Sequence, residues 1–125
     1  MYPSVFSIAA ASPAVTATLG SSPTRFWPFG HSEAKGPRPY AVHQLVYGNP
    51  DNSLSCVPTT DLFGVQVDCY AQTVSAARGV AGALRDAFEA SLNHVVAWNG
   101  EDWEPATGLY RVGFTVEFWT ERSSS

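Results

Sequence analysis

The hydrophobic period of this chain changes within a few residues between Leu62 and Leu92. From Leu62 to Tyr70, Val65, Val67 and Cys69 alternate with Gln66, Asp68 and Tyr70, the period of two of a half-buried strand. From Thr73 to Leu92 the apolar positions become Val74, Ala77, Ala81, Leu84, Phe88 and Leu92, three or four residues apart. That spacing lines one face of a helix. A strand that runs straight into an amphipathic helix folds the helix back over its own sheet, so a sheet with a helix on one face is expected.

The remaining elements follow from weaker signals. Pro3 suits a first helical turn, and Val5, Phe6, Ile8 and Ala9 supply the stripe of a short helix. Ser12-Pro13 reads as an N-cap and first helical residue, and Leu19-Gly20 as the matching stop, which predicts a second short helix from Pro13 to Leu19. Arg25 to Phe29 predicts a short strand, and Pro28, which has no N–H to donate, places it at a sheet edge. Gly30 to Pro39 reads as loop, then Tyr40 to Tyr47 as a strand. A long polar connection, 48–61, leads to the strand at Leu62, and connections of this length are commonly functional or disordered. After the long helix come a strand near His94–Trp98, a loop with Asn99-Gly100 and Thr107-Gly108, and a last strand from Leu109 to Thr120. In that strand Val112, Phe114, Val116 and Phe118 alternate with Arg111, Gly113, Thr115, Glu117 and Trp119. The order α-α-β-β-β-α-β-β predicts an α+β fold: a mainly antiparallel sheet, a long amphipathic helix packed on one face, and short N-terminal helices. One domain over residues 1–122 with a polar tail at 123–125 is expected.

Composition narrows the function classes. Apolar residues make up 45% of the 125 and charged ones 14%, so the chain is globular, with much neutral surface available to other subunits. Four Trp, five Tyr and seven Phe form an aromatic stock suited to cores and interfaces alike. The net charge is −4, and the seven Lys and Arg form no run, so a cationic footprint for gripping nucleic acid is missing. An acidic wall past which nucleic acid slides remains compatible. Cys56 and Cys69 make no C-x-x-C pair and suggest no disulfide framework, which fits a reducing cytosol. Cys69 shares the face of Val65 and Val67 and reads as a small buried hydrophobe. With no Lys or Arg before Arg25 and prolines at 3 and 13, the N-terminal stretch fits neither a secretory signal nor a membrane span.

Candidate chemistry is sparse. Motifs for phosphate cradling, a nucleophile elbow, zinc or dinucleotide binding do not occur. His31, His43 and His94 have no ligand-like spacing to one another or to the cysteines. His43, on a face with Ala41, Leu45 and Tyr47, reads as a hydrogen-bonded or interface residue. Glu101, Asp102 and Glu104 could pair for acid–base work, but they are expected in a solvated, turn-rich loop with no apolar pocket to shift a pKa. No catalytic, cofactor-binding or metal residue is assigned, and enzyme is the last reading.

The residues resemble a known family, the tail terminator or tail completion proteins of long-tailed bacteriophages and related gene-transfer particles. The resemblance covers nearly the whole chain. It includes Ser12-Pro13-Ala14-Val15-Thr16-Ala17-Thr18-Leu19-Gly20, the "RFWPFG" run from Arg25 to Gly30, and Arg38-Pro39-Tyr40-Ala41-Val42. It continues through Val65-Gln66-Val67-Asp68-Cys69-Tyr70-Ala71 with the Ala-rich helix, and through Thr107-Gly108-Leu109-Tyr110-Arg111 into the last strand. The resemblance implies an α+β subunit that works without cofactor or catalysis. Such subunits assemble with their copies as a six-fold ring on the head-proximal end of the tail tube, in a virion put together in the host cytoplasm. The ring stops tube polymerisation and meets a head connector or neck protein, while the genome passes its lumen without specific binding. No membrane is involved.

Two surfaces are candidates for these contacts. The polar connection, with Asn49, Asp51, Asn52, Leu54 and Val57, is long enough to reach the tube or a neighbouring subunit. The loop with Trp98, Glu101, Asp102 and Trp103 is the second, because an exposed tryptophan is a typical interface anchor. Two other readings stand beside the terminator: another head–tail joining protein of the neck, and a single-stranded nucleic-acid binder that stacks bases on sheet aromatics. The lack of basic residues weighs against the last.

Overall fold

The computed structural model describes residues 2–21, 23–30, 38–50 and 60–121. Its elements are α1 (Val5–Ala10), α2 (Pro13–Leu19), β1 (Phe26–Pro28), β2 (Tyr40–Pro50), β3 (Thr60–Ala71), α3 (Val74–Ala90), β4 (His94–Glu104) and β5 (Leu109–Glu121). The order and the α+β class are those the sequence predicts. The strands form one five-stranded sheet in the order β1-β2-β3-β5-β4. All ladders are antiparallel except β1 with β2, and Pro28 sits on the outermost strand as expected.

Strand alternation explains why the helices lie where they do. Val65, Val67, Cys69 and Ala71 of β3 and Val112, Phe114, Val116 and Phe118 of β5 point to one side and are buried. Against them α3 sets Ala77, Val80, Ala81, Leu84, Ala87 and Phe88. Val5 and Ala9 of α1 and Val15 and Leu19 of α2 complete the same cluster. Small residues on α3 let the helix approach the sheet closely, and Phe88 fills the space between Phe26, Phe114 and Phe118. No described helix covers the other face of the sheet.

Local signals set the ends of the helices. Ser12 Oγ accepts a hydrogen bond from the Val15 N–H, with Pro13 in the first turn, and Thr73 Oγ1 accepts from Ala76 N–H at 3.1 Å. Gly20 ends α2 at φ 78°, a conformation that glycine adopts without steric penalty. The Arg25 guanidinium packs so tightly here that a Cβ on Gly20 would lie 2.7 Å from its Nη1. Arg25 Nη2 donates to the Thr18 carbonyl and Nε to the Pro39 carbonyl, at 3.0 and 2.8 Å. The arginine of the RFWPFG run thus ties the end of α2 to the entry of β2.

Several expectations are corrected. Pro3 lies ahead of the Ser4 N-cap and outside α1. The long helix stops at Ala90, and Leu92 turns out of the apolar stripe at φ 65°, 88% exposed. Asn49 is not in a loop: β2 continues to Pro50 and β3 begins at Thr60, with Asn49 opposite Leu62. Asp51, Asn52, Leu54 and Val57 lie outside the described residues. The expected loop around Asn99-Gly100 is part of β4, which runs to Glu104 through two register shifts, Val95/Ala97 and Trp98/Gly100. Such bulges absorb an extra residue without ending the strand, which is why turn residues there misled the sequence reading. Trp98, Glu101, Asp102 and Trp103 are therefore strand residues.

Candidate assembly surface

Three surfaces of the sheet are open among the described residues, and they differ in chemistry. The first is the border formed by β4. Trp98 and Trp103 remain 52% and 50% exposed there. On the helix side the Trp98 ring leans on Phe114, with centroids 5.4 Å apart, while the Arg85 guanidinium lies 6.0 Å from the Trp98 ring centre. Arg78 of α3 grips Glu101 of β4 through two charge-assisted hydrogen bonds of 2.6 and 2.7 Å. Those bonds hold the Glu101 carboxyl below the usual carboxylate range. Between helix and strand runs an open groove of about 450 Å³ lined by Arg78, Ala81, Gly82, Arg85, Trp98 and Glu101. The neighbouring carboxylates are thus divided: Glu101 is bound to an arginine and faces the helix, while Asp102 faces the opposite side.

At the far border a second groove, of about 360 Å³, lies between the N-terminal segment and β1–β2, lined by Tyr2, Pro3, Phe6, Phe29 and Leu45 among others. Phe6, Phe29, Leu45, Val46 and Tyr47 are all exposed around it or along β2. His43 turns inward here, edge-on to the Phe26 ring at 4.7 Å, and its burial pushes the imidazole pKa down.

The helix-free face of the sheet is polar along its middle. Arg111 Nη1 meets Asp68 Oδ1 at 2.9 Å, and the Gln66 amide donates to the same carboxylate at 3.1 Å. Strand register puts Asp68, Asp102, Glu104 and Glu117 on this face against one arginine, Arg111, among the described strand side chains. Tyr40 and Tyr70 stack at 5.0 Å toward one end, and Trp119 stands exposed at the other.

Tyr47 shows how a bulge can redirect a side chain. The shift between Leu45 and Tyr47 takes Tyr47 off the face of Ala41 and His43 and lays it across Gly64, where its hydroxyl donates to Glu117. A Cβ at position 64 would collide with that ring. Desolvation, then the hydrogen bond and charge of Glu117, push the phenol up to about 12 from 10.0. A folded pKa above the unfolded one favours the neutral phenol, so its stabilising effect is complete below pH 10 and lost as pH rises toward about 12. Tyr47→Phe is therefore expected to flatten the alkaline fall in melting temperature and to remove one late step from the ultraviolet phenolate titration. An unchanged titration curve would show that Tyr47 does not hold this contact in solution.

Among the described residues no group of three His, Cys, Asp or Glu is placed to hold a metal ion, and no helix is long and apolar enough to cross a membrane. The sequence singled out Trp98, Trp103 and Asn49, and the structure brings the two tryptophans together on β4 and puts Asn49 on β2, with two strands between them. What it missed is the apolar run Leu45–Tyr47, whose exposure depends on a bulge and on how short β1 is. Only the brevity of the Arg25–Phe29 signal hinted at it.

The chain belongs to the tail completion protein gp17 family, which it matches over residues 3–121. It is a structural component of phage-type tails and not an enzyme. In fold it is similar to a chain from the virion of a native gene transfer agent particle, with a TM-score of 0.62 at 14% identity, covering 94% of this chain and 92% of that one. Curated protein sequences yield no match.

Proposed function

We propose that this protein is a tail terminator: copies form a ring, of six by resemblance, on the head-proximal end of the tail tube. The ring halts tube polymerisation and offers its free side to a head connector or neck protein. The observation that carries this reading is family membership over residues 3–121, joined to a surface with two exposed apolar borders. Ring closure needs contacts in which one patch meets a different patch on the next copy, and the tryptophan border and the Leu45–Tyr47 border supply two unlike patches. Asn49, Trp98 and Trp103 are the contact residues proposed among those described, and Asp51, Asn52, Leu54 and Val57 are proposed with them. The genome would pass a surface rich in carboxylates, and the helix-free face, with Asp68, Asp102, Glu104 and Glu117, is the one suited to it, since such a wall gives phosphates no grip. No cofactor enters this reading.

Electron microscopy of particles made without the protein tests it. Tails of uncontrolled, excess length are the expected result. Tails of normal length detached from heads would overturn it in favour of a neck-joining protein, and intact, normally joined particles would remove both roles.

A further inference from the structure

The sheet ends on both sides in strand edges that no described strand joins along their length, although on β4 the Trp103 N–H donates to Asp102 Oδ1 at 2.8 Å. On one side β4 runs from His94 to Glu104 and pairs only with β5. On the other, β1 covers β2 at Ala41, Val42 and His43, so no described strand lies outside Gln44–Pro50. A free edge presents a row of N–H and C=O groups that any extended chain can join, and proteins commonly blunt it with lysine, proline or bulges. The blunting here is partial. Neither segment contains lysine, Pro50 stands only at the last position of β2, and beyond the bulges Gly100–Glu104 and Tyr47–Pro50 keep regular register.

Direction makes these two edges complementary. β2 is antiparallel to β3, β3 to β5 and β5 to β4, so β4 and β2 run in opposite senses. Set one copy's β4 beside the next copy's β2, sheets facing the same way, and the new pair is antiparallel, the pattern already running through the sheet. A two-fold β4–β4 contact would cover one edge and leave Gln44–Pro50 bare in every copy. The head-to-tail contact covers both stretches in every copy, and closing such a sheet on itself leaves only the outer side of the three-residue β1 unpaired among the described strands. Aromatic surface lies along one border (Trp98, Trp103) and apolar surface along the other (Leu45, Val46, Tyr47), and no described side chain from Gln44 to Pro50 is charged to repel Glu101, Asp102 or Glu104.

We infer that each subunit's β4 adds as a strand to Gln44–Pro50 of a second copy, joining the sheets of neighbours into one. This rests on the ring reading above and supplies its contact. Cross-linking inside assembled particles tests it, in a Cys56→Ser background so that the buried Cys69 is the one remaining native thiol. Asp102→Cys and Gln44→Cys place thiols on opposite borders of the same face, facing each other when β4 lies antiparallel along Gln44–Pro50. With a short bismaleimide, the chain carrying both is expected to give a ladder of multimers beyond the dimer, and each single variant no product with itself. A mixture of the two single variants should stop at the dimer. Ala97→Cys with Asn49→Cys, four ladder steps along the same antiparallel register, repeats the readout if the first pair does not enter particles. Incorporated double variants that give no ladder overturn the edge pairing and leave the ring reading standing. So do dimers from the Asp102→Cys chain alone, or products with a tube or connector subunit. Absence of the unmodified protein from particles would overturn the terminator reading itself.

Discussion

Phe88→Ala is expected to cost the fold about 3–5 kcal/mol, the range for truncating a buried aromatic in a packed core. Native domains of this size have about 5–15 kcal/mol in hand, so the variant should be close to half unfolded in mild denaturant. The argument comes from position. Phe88 has no exposed surface and sits on the last turns of α3, where it meets Phe118 edge-on at 5.5 Å and lies 6.3 and 6.4 Å from Phe26 and Phe114. It therefore joins the helix to β5 and to the short outer strand β1. Phe26 and Phe118 belong to separate strands fixed by backbone ladders, so neither can collapse into the space left behind, and the cavity penalty adds to the lost transfer energy. Urea unfolding should show a midpoint lowered by about 2 M with an unchanged slope. Phe6→Ala, which removes a ring that is already exposed, should move the midpoint little. A change below about 1 kcal/mol for Phe88→Ala would mean that the aromatic cluster does not hold α3 to the sheet.

Much of this arrangement is legible in the sequence because both periodicities are long and uninterrupted. Val65, Val67 and Cys69, and the run from Val112 to Phe118, alternate cleanly and all are buried. The face of α3 is legible for the same reason, except that Val80 and Ala87 join it and Leu92 leaves it. Helix termination at Ser91 is set by local backbone hydrogen bonds, with Asn93 N–H returning to the Phe88 carbonyl, and such a turn has no hydrophobic signature. The strand ends were harder to place. Asn49, Pro50, Asn99 and Gly100 are turn formers in isolation, yet ladder pairing with Leu62, Asp61 and Gly113 carries three of them and a bulge accommodates Asn99. The assembly surface was half legible. Trp98 and Trp103 stood out as large residues outside any apolar period, whereas Leu45 and Val46 looked like ordinary strand residues. Their exposure comes from the brevity of β1, a property of the whole sheet and not of their neighbours in sequence.

The glycines offer a contrast of sign that tests the same packing from another side. Gly113→Val is expected to destabilise by about 2–3 kcal/mol, as overpacking does when it also disturbs a partly buried ion pair. Gly79→Ala should stabilise by about 0.5–1 kcal/mol, the usual gain for alanine at an unobstructed helical position. Propensity alone also favours valine over glycine in a strand, so the direction expected at Gly113 depends on its neighbours. A Cβ there would stand 2.5 Å from Asp68 Oδ1 and 2.9 Å from Arg111 Nη1, because the ion pair crosses directly above the β5 backbone between Asp68 of β3 and Arg111. Both partners are about four-fifths shielded, with side-chain exposures of 19% and 21%, so parting them leaves charge poorly solvated. The Gln66 amide, held to the same carboxylate, would lose its acceptor as well. At Gly79 an added Cβ meets nothing within 4 Å. Thermal melts of the two variants should move in opposite directions. A cycle with Asp68→Ala isolates the cause: without the carboxylate, Gly113→Val should lose much of its cost. Equal cost in both backgrounds would show that the ion pair does not set the requirement for glycine at this point of the open face.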